Sequence, residues 1–319
     1  MLFEKQVLNM YKGMLHTRCD DTETVFYFSA TDFAGLHQEP FAFAASAGHT
    51  LQGYIYSYDD PIEGKLIVFD HGFGGGHRAY MKEIELLCRH GYTVLSYDHT
   101  GCMESGGESP RGLAQSLCDL NDCLNAIKAD ARFAGLDISV MGHSWGGFST
   151  LNIAALHPEI SHVVVLSGFI AVREQINSFF SGLLKPYRKA VLALEQESNP
   201  YFSTFHAVKS LKSSDVKALL IYSDNDPLVK RKQYEVLQAE LVEKENVRLM
   251  LVKGKEHNPN YTAEALPLLG DFAKKRAKLA KRKNLTAADK AAFVASFDWN
   301  AMTEQDTAVW DEIFAHLES

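Results

Sequence analysis

The 319-residue chain is expected to fold as an α/β protein, a mostly parallel sheet covered by helices on both faces. Two observations predict this. From residue 65 onward, short continuous apolar runs alternate with stretches of helical pattern, the signature of strands buried on both sides. One of those runs, "DISVMG" (137–142), leads through the tight turn "MGHSWGGF" (141–148) into a helix, a connection of the kind α/β units use.

The elements follow in order. After an N-terminal helix-like stretch, "ETVFYFSA" (23–30) and "PFAFAASAGHTLQGYIYSYDD" (40–60) have the aromatic and β-branched content of strands, with Ala-Gly and Asp-Asp-Pro turns. They are expected to be antiparallel edge strands. "KLIVFDHG" then reads as a buried strand, 77–90 as a helix, "YTVLSYD" as a strand and 112–130 as a helix. The strand "DISVMG" is followed by a helix over 145–157 and the strand "HVVVLSGF". Between 171 and 214 the pattern is helical without a strand, which predicts an insertion above the sheet's carboxyl edge, where open α/β sheets bind ligands. The rhythm resumes with "VKALLIYSDNDPLV", a helix at 230–244, "VRLMLVKGKEH" and a helix at 261–280.

This divides the chain into a first core part (1–170), a helical cap insertion (171–214), a second core part (215–280) and a C-terminal helical extension (281–319). In the extension, Thr286 and Thr303 are expected to cap two helices. Val309, Trp310, Ile313, Phe314 and Leu317 form an apolar stripe expected to pack on the core.

Composition narrows the function. A net charge of −8 and a pI near 5.9 argue against a nucleic-acid surface, which needs clustered cations. The basic run "KKRAKLAKRK" (274–283) reads as a solvated helix face or linker, with an anion or membrane patch as the alternative. No stretch has the roughly 18–20 uninterrupted apolar residues of a membrane span, and the N-terminus lacks the layout of a secretory signal. A cytoplasmic protein without stable membrane insertion is expected. The five cysteines, Cys19, Cys88, Cys102, Cys118 and Cys123, are odd in number and include no C-x-x-C pair, so reduced thiols are expected rather than a disulfide framework or a zinc site.

Ser144 sits at the centre of Gly-x-Ser-x-Gly, with a strand before it and a helix after it, as a nucleophilic serine on a sharp turn requires. Side chains at Gly142 and Gly146 would collide where strand and helix pass closely. A serine hydroxyl needs a base, and the base an orienting acid. In strand-turn-helix sites of this kind the acid and then the histidine follow the serine in sequence. Only His206, His257 and His316 of thirteen histidines lie beyond the helix and strand after Ser144. His257, directly after a strand, is the expected base. Asp226 is favoured over Asp224 as the acid, both following the strand "LLIYS". Two oxyanion donors are expected: the N–H of Trp145 at the helix start, and that of Phe73, with Gly74 next, in the loop "DHGFGGGH". A phosphate-binding reading of these glycines fails, because G-K-[S/T] is absent and His77 stands where G-x-G-x-x-G needs glycine.

Together, "AGHTLQGYIY", "HGFGGG", "SYDHTGCMESGGES", "GHSWGG", "SDNDPLV" and "KEH" resemble the α/β-hydrolase superfamily, most closely its capped serine hydrolases of the serine aminopeptidase S33 or monoacylglycerol lipase-like type. The resemblance covers about 50–275. It implies an α/β-hydrolase fold, Ser144, Asp226 and His257 as catalytic residues, Phe73 and Trp145 as oxyanion donors, and no cofactor or metal. Two positions depart from the family's D-x-R-G-x-G-x-S pattern: Thr100 replaces the arginine and Met103 the second glycine, so a differently shaped loop is expected. Trp145 is similar to the G-G-S-W-G of proline-specific aminopeptidases, whose cap carboxylates hold the substrate amine; Glu174, Glu195 and Glu197 are available here. Phe179, Phe180, Leu183, Leu184, Tyr187 and Tyr201 make the insertion apolar. The expected substrate is a small-molecule acyl compound, a carboxylic ester before an aminoacyl amide, with a non-catalytic binding protein as the remaining alternative.

Overall fold

In the computed structural model, which describes residues 3–319, eight strands form one sheet in the order β1-β2-β4-β3-β5-β6-β7-β8. They are β1 (His37–Ala44), β2 (Thr50–Ser57), β3 (Lys65–Asp70), β4 (Thr93–Tyr97), β5 (Asp137–His143), β6 (His162–Leu166), β7 (Lys217–Ser223) and β8 (Val247–Val252). β2 alone runs against the others, pairing antiparallel with both β1 and β4, while β3 to β8 are mutually parallel. The α/β expectation holds, including the antiparallel pair at the edge.

Alternation along each strand feeds two cores. Leu66 and Val68 of β3 join Val140, Val163 and Val165 on one face, covered by α3 (Gln115–Ala129), α4 (Trp145–Ile153), α7 (Ala207–Lys212) and α8 (Arg231–Glu240). Ile67 and Phe69 face the other way with Val164 and Ile221, against α2 (Met81–Arg89) and α12 (Thr307–Leu317). All nine residues of α4 are buried, so the helix after Ser144 is locked on every side. Val309, Trp310, Ile313 and Leu317 of α12 are buried in the second core, each burial contributing about 1.5–3 kcal/mol. The tail thus covers one face of the sheet.

Between β6 and β7 come α5 (Val172–Phe179), a 3₁₀ segment (Gly182–Tyr187), α6 (Arg188–Ser198) and α7, with no strand. The N-terminal helix α1 (Glu4–Leu15) buries Val7, Tyr11 and Leu15 at i, i+4, i+8 spacing. Its Tyr11 hydroxyl donates to Glu195 of α6 at 2.5 Å.

Two expectations are corrected. "ETVFYFSA" forms no strand; its rings are used in side-chain packing, Phe28 against Phe26 and Phe33 and under the Lys82 ammonium, Phe26 against Trp299. Thr303 caps no helix start. It closes the short α11 (Trp299–Met302), and Asp306 opens α12 by accepting from the Ala308 N–H at 3.0 Å. Thr286 does cap α10 (Ala287–Ala295), in a capping box with Asp289. After α8 and β8 the remaining helix α9 (Ala265–Leu279) packs beside α11.

Candidate active site

Ser144 leaves β5 with φ 56° and ψ −106°, a left-handed conformation that costs a non-glycine residue about 1–3 kcal/mol. The surroundings enforce it: its N–H donates to the Leu166 carbonyl at 2.8 Å, and its own carbonyl accepts from Phe148 N–H at 3.0 Å. A Cβ on Gly146 would overlap the Asp70 carbonyl, and one on Gly142 would meet Thr150 and the Gly146 carbonyl. Both glycines are needed for β3, β5 and α4 to approach this closely.

The strained turn presents Ser144 to the loops after β7 and β8. His257 Nε2 lies 2.8 Å from Ser144 Oγ, and His257 Nδ1 lies 2.7 Å from Asp226 Oδ2. A carboxylate only accepts, so Nδ1–H donates to Asp226 and the bare Nε2 accepts the serine O–H. Asp226 is fixed in turn by the N–H groups of Leu228 and Val229, at 2.7 and 3.0 Å. Asp224, the other acid considered, instead accepts from Gly254 N–H at 2.8 Å and ties the two loops together. His206 caps α7 through its own ring, and His316 lies in α12.

Phe73 and Trp145 flank the serine, with ring centroids 5.2 Å apart. The Trp145 indole donates to the Leu113 carbonyl at 2.7 Å, and its backbone N–H opens α4, where first-turn amides have no partner within the helix. The Phe73 side is held by groups that the sequence reading missed. His71 Nδ1–H donates to the Gly72 carbonyl at 2.7 Å, while its Nε2 accepts from His99 N–H at 3.0 Å. With the Gly72 carbonyl turned to His71, the N–H of Phe73 across the same planar peptide faces the opposite way. The Tyr80 hydroxyl, packed against the Gly72 backbone, donates to His143 Nδ1 at 2.8 Å. His143 Nε2–H donates to the His257 carbonyl at 2.8 Å. Hydrogen bonds from Tyr80, which packs on the Phe73 turn, therefore run through His143 to the loop carrying His257. Burial and the neighbouring His257 push His143 down to about 3, so it stays neutral, as this pattern requires.

Beneath lies a buried charge cluster. His99 sits 3.0 Å from Asp70 and 3.2 Å from Asp119. Burial opposes its charge, but the two carboxylates outweigh that and raise it to about 10, an imidazolium at neutral pH. Burial and the charge on His99 keep His71 neutral, at about 3. Thr100, in place of the family's arginine, bonds Asp119 through its N–H and its hydroxyl, at 2.8 and 2.7 Å. Met103, in place of the second glycine, takes φ 44°, so the loop keeps a glycine-like bend despite the side chain. Cys118, Asp119 and Asp122 also lie close enough to share a cation, but Asp119 is committed to His99 and Thr100, and Asp122 to Ser46.

Ser144 and His257 open onto a cavity of about 530 Å³. Phe179, Phe180 and Leu184 from the segment after β6 line it, as do Met10, Tyr11, Met14 and Leu15 from α1. The sequence reading placed only a helix-like stretch at the N-terminus and did not assign α1 to the cavity. Leu183 and Tyr201, also counted as lid residues, point outward, Leu183 being 96% exposed. Of the three carboxylates considered for an amine, Glu195 is buried against Tyr11 and the Leu113 N–H, the latter at 2.8 Å. Among the described residues no aspartate or glutamate lines the cavity.

The single reversed strand, the strained serine turn after β5 and the loops converging on it define an α/β-hydrolase-fold protein. Residues 62–204 match the family model of serine aminopeptidase, S33, which bears out the resemblance seen in the motifs. That match includes Phe73, Ser144 and Trp145 and stops short of Asp226 and His257. The Pyrococcus furiosus esterase Pf2001 superposes with a TM-score of 0.60 at 20% identity, over 81% of this chain and 98% of that one. A Mycobacterium tuberculosis puromycin-hydrolyzing peptidase does so at 0.55 and 16% identity, over 70% and 36%. In sequence, the "Putative carbamate hydrolase RutD" of Pseudomonas syringae is 38% identical over 103 residues, 31% of this chain and 37% of the relative. The chain spans about two fifths of the length of the first such relatives. Among the described residues no helix is long and apolar enough to cross a membrane.

Proposed function

We propose that the protein is a serine hydrolase that cleaves carboxylic esters through an acyl-enzyme. The observation that carries this is the continuous Ser144–His257–Asp226 chain of hydrogen bonds at 2.8 and 2.7 Å, opening on an apolar cavity. His257 takes the Ser144 proton as Oγ attacks the ester carbonyl, and Asp226 stabilises the imidazolium that forms. The N–H groups of Phe73 and Trp145 receive the developing oxyanion, each such donor contributing about 3–4 kcal/mol in comparable sites. The imidazolium protonates the departing alcohol, and a water deprotonated by His257 then releases the acid. The segment 171–214 acts as the cap, with α1 as its second half.

The family match favours a second reading, an aminopeptidase or amidase. The cavity wall argues against it, because a free substrate amine would meet no carboxylate there. Carbamates, named for the RutD relatives, share the acyl centre and form a third arm of the test. The experiment is a panel of acyl esters of graded chain length, thioesters, carbamates and aminoacyl arylamides, run on wild type and Ser144→Ala, with fluorophosphonate labelling of both. Ester hydrolysis and labelling confined to wild type are expected. Turnover that survives Ser144→Ala overturns the mechanism, faster arylamide than ester cleavage overturns the substrate class, and wild type that neither labels nor turns over leaves a binding protein.

A further inference from the structure

Cys19 and Cys102 lie apart from Ser144, on a segment the proposed reaction does not use. Cys19 belongs to the stretch that follows α1, and Cys102 to the loop after β4. The two form an isolated parallel β-bridge. Cys19 N–H donates to the Gly101 carbonyl at 2.9 Å, and Met103 N–H donates to the Cys19 carbonyl at 3.1 Å. Bridged backbones stand about 4.8 Å apart, inside the Cα separation that a disulfide spans. The neighbouring Arg18 fixes the register further, donating to the carbonyls of Met103, Ser105 and Gly107 at 2.9, 3.1 and 2.6 Å. The two thiols act on each other's titration.

The pair is chemically asymmetric. The neighbouring Cys102 holds the Cys19 thiol below its ordinary pKa, against burial and Asp20, and the Arg18 guanidinium adds in the same direction. Cys102 is raised by Cys19 and by burial. Burial raises Cys88, Cys118 and Cys123 as well, so Cys19 is the only one of the five lowered toward the reactive thiolate. Cys19 is half-buried and Cys102 is fully buried behind it.

We propose that Cys19 and Cys102 are a redox pair that closes to a disulfide under peroxide, fixing the segment behind the α1 wall to the loop after β4. The Cys19 thiolate attacks one oxygen of the hydroperoxide, the O–O bond breaks, and hydroxide leaves to take a proton as water, giving a sulfenic acid. Cys102 loses its proton and attacks that sulfur, expelling the second oxygen as water. The two sulfurs supply two electrons, and one peroxide becomes two waters. Held backbones on both sides make the second step effectively intramolecular.

The test is peptide mapping of the folded full-length protein after hydrogen peroxide, with free thiols alkylated under denaturing conditions. A disulfide-linked peptide joining Cys19 to Cys102, with two of the five thiols lost and recovered by dithiothreitol, is expected. Cys19→Ser, which lies outside the proposed machinery and keeps ester turnover, is expected to retain all four remaining thiols under the same treatment. Cys19 and Cys102 both remaining alkylatable, Cys19 stopping at sulfinic acid, or Cys102 oxidising equally in Cys19→Ser overturns the proposal.

Discussion

Glu195 joins three parts of the cavity's surroundings, and its replacement by glutamine gives a signed, measurable effect. The carboxyl sits on α6, accepts the Tyr11 hydroxyl from α1 and the Leu113 N–H, and is fully buried. Burial raises it from 4.5 to about 7, with Tyr11 and the backbone of Leu113 and Ala114 opposing only part of that. Between those values the folded protein holds a proton that the unfolded chain has released. Unfolding therefore releases a proton there, and the contribution is fully present below about 4.5 and lost as pH rises through about 7. The displacement corresponds to about 3 kcal/mol. Glu195→Gln keeps the shape without the titration, so relative to wild type it should gain up to about 3 kcal/mol between pH 5 and pH 8. Urea unfolding of both proteins at intervals across that range isolates the group, because every other titration cancels in the difference. A difference that stays flat from pH 5 to pH 8, or that moves against the variant, refutes the reasoning.

Other perturbations address the site and the core. Asp226→Asn should lower kcat on the order of 10⁴-fold while KM changes little, since the amide cannot hold the His257 tautomer; steady-state kinetics on the preferred ester decides, and a loss under tenfold contradicts the assignment. Tyr80→Phe removes the hydroxyl that holds His143 and should cost about tenfold in kcat/KM, carried by kcat, with Tm nearly unchanged. A Tm collapse would show the hydroxyl to be structural instead. Gly146→Ala forces a Cβ into the Asp70 carbonyl and should abolish the folded state, read by circular dichroism. Ile313→Ala, at 0% exposure on the buried face of α12, should cost about 2–5 kcal/mol in urea unfolding and leave KM unchanged.

Much of this was legible in the sequence because the chemistry of a nucleophilic turn constrains residue types. Glycine at 142 and 146 is forced by contact, and the strand before Ser144 and the helix after it are continuous in pattern. Asp226 and His257 stand directly after β7 and β8, so topology alone brings them to one edge. What escaped was long-range pairing of unremarkable residues. His71, His99 and His143 stand at or just beyond the ends of three sheet strands, a recurrence visible in retrospect, but their partners Tyr80, Asp70 and Asp119 follow no local spacing. "ETVFYFSA" misled because aromatic content signals strand or packing equally, and only its neighbours choose. Thr303 misled because Asp306, three residues later, caps α12 instead.

The bond from Tyr11 to Glu195 spans 184 positions of the chain. During synthesis α1 leaves the ribosome long before the surface that receives it exists. Closing a loop of that length costs more chain entropy than forming the local strand and helix pairs. The α1 wall of the cavity therefore waits on residues synthesised far later in the chain than α1 itself.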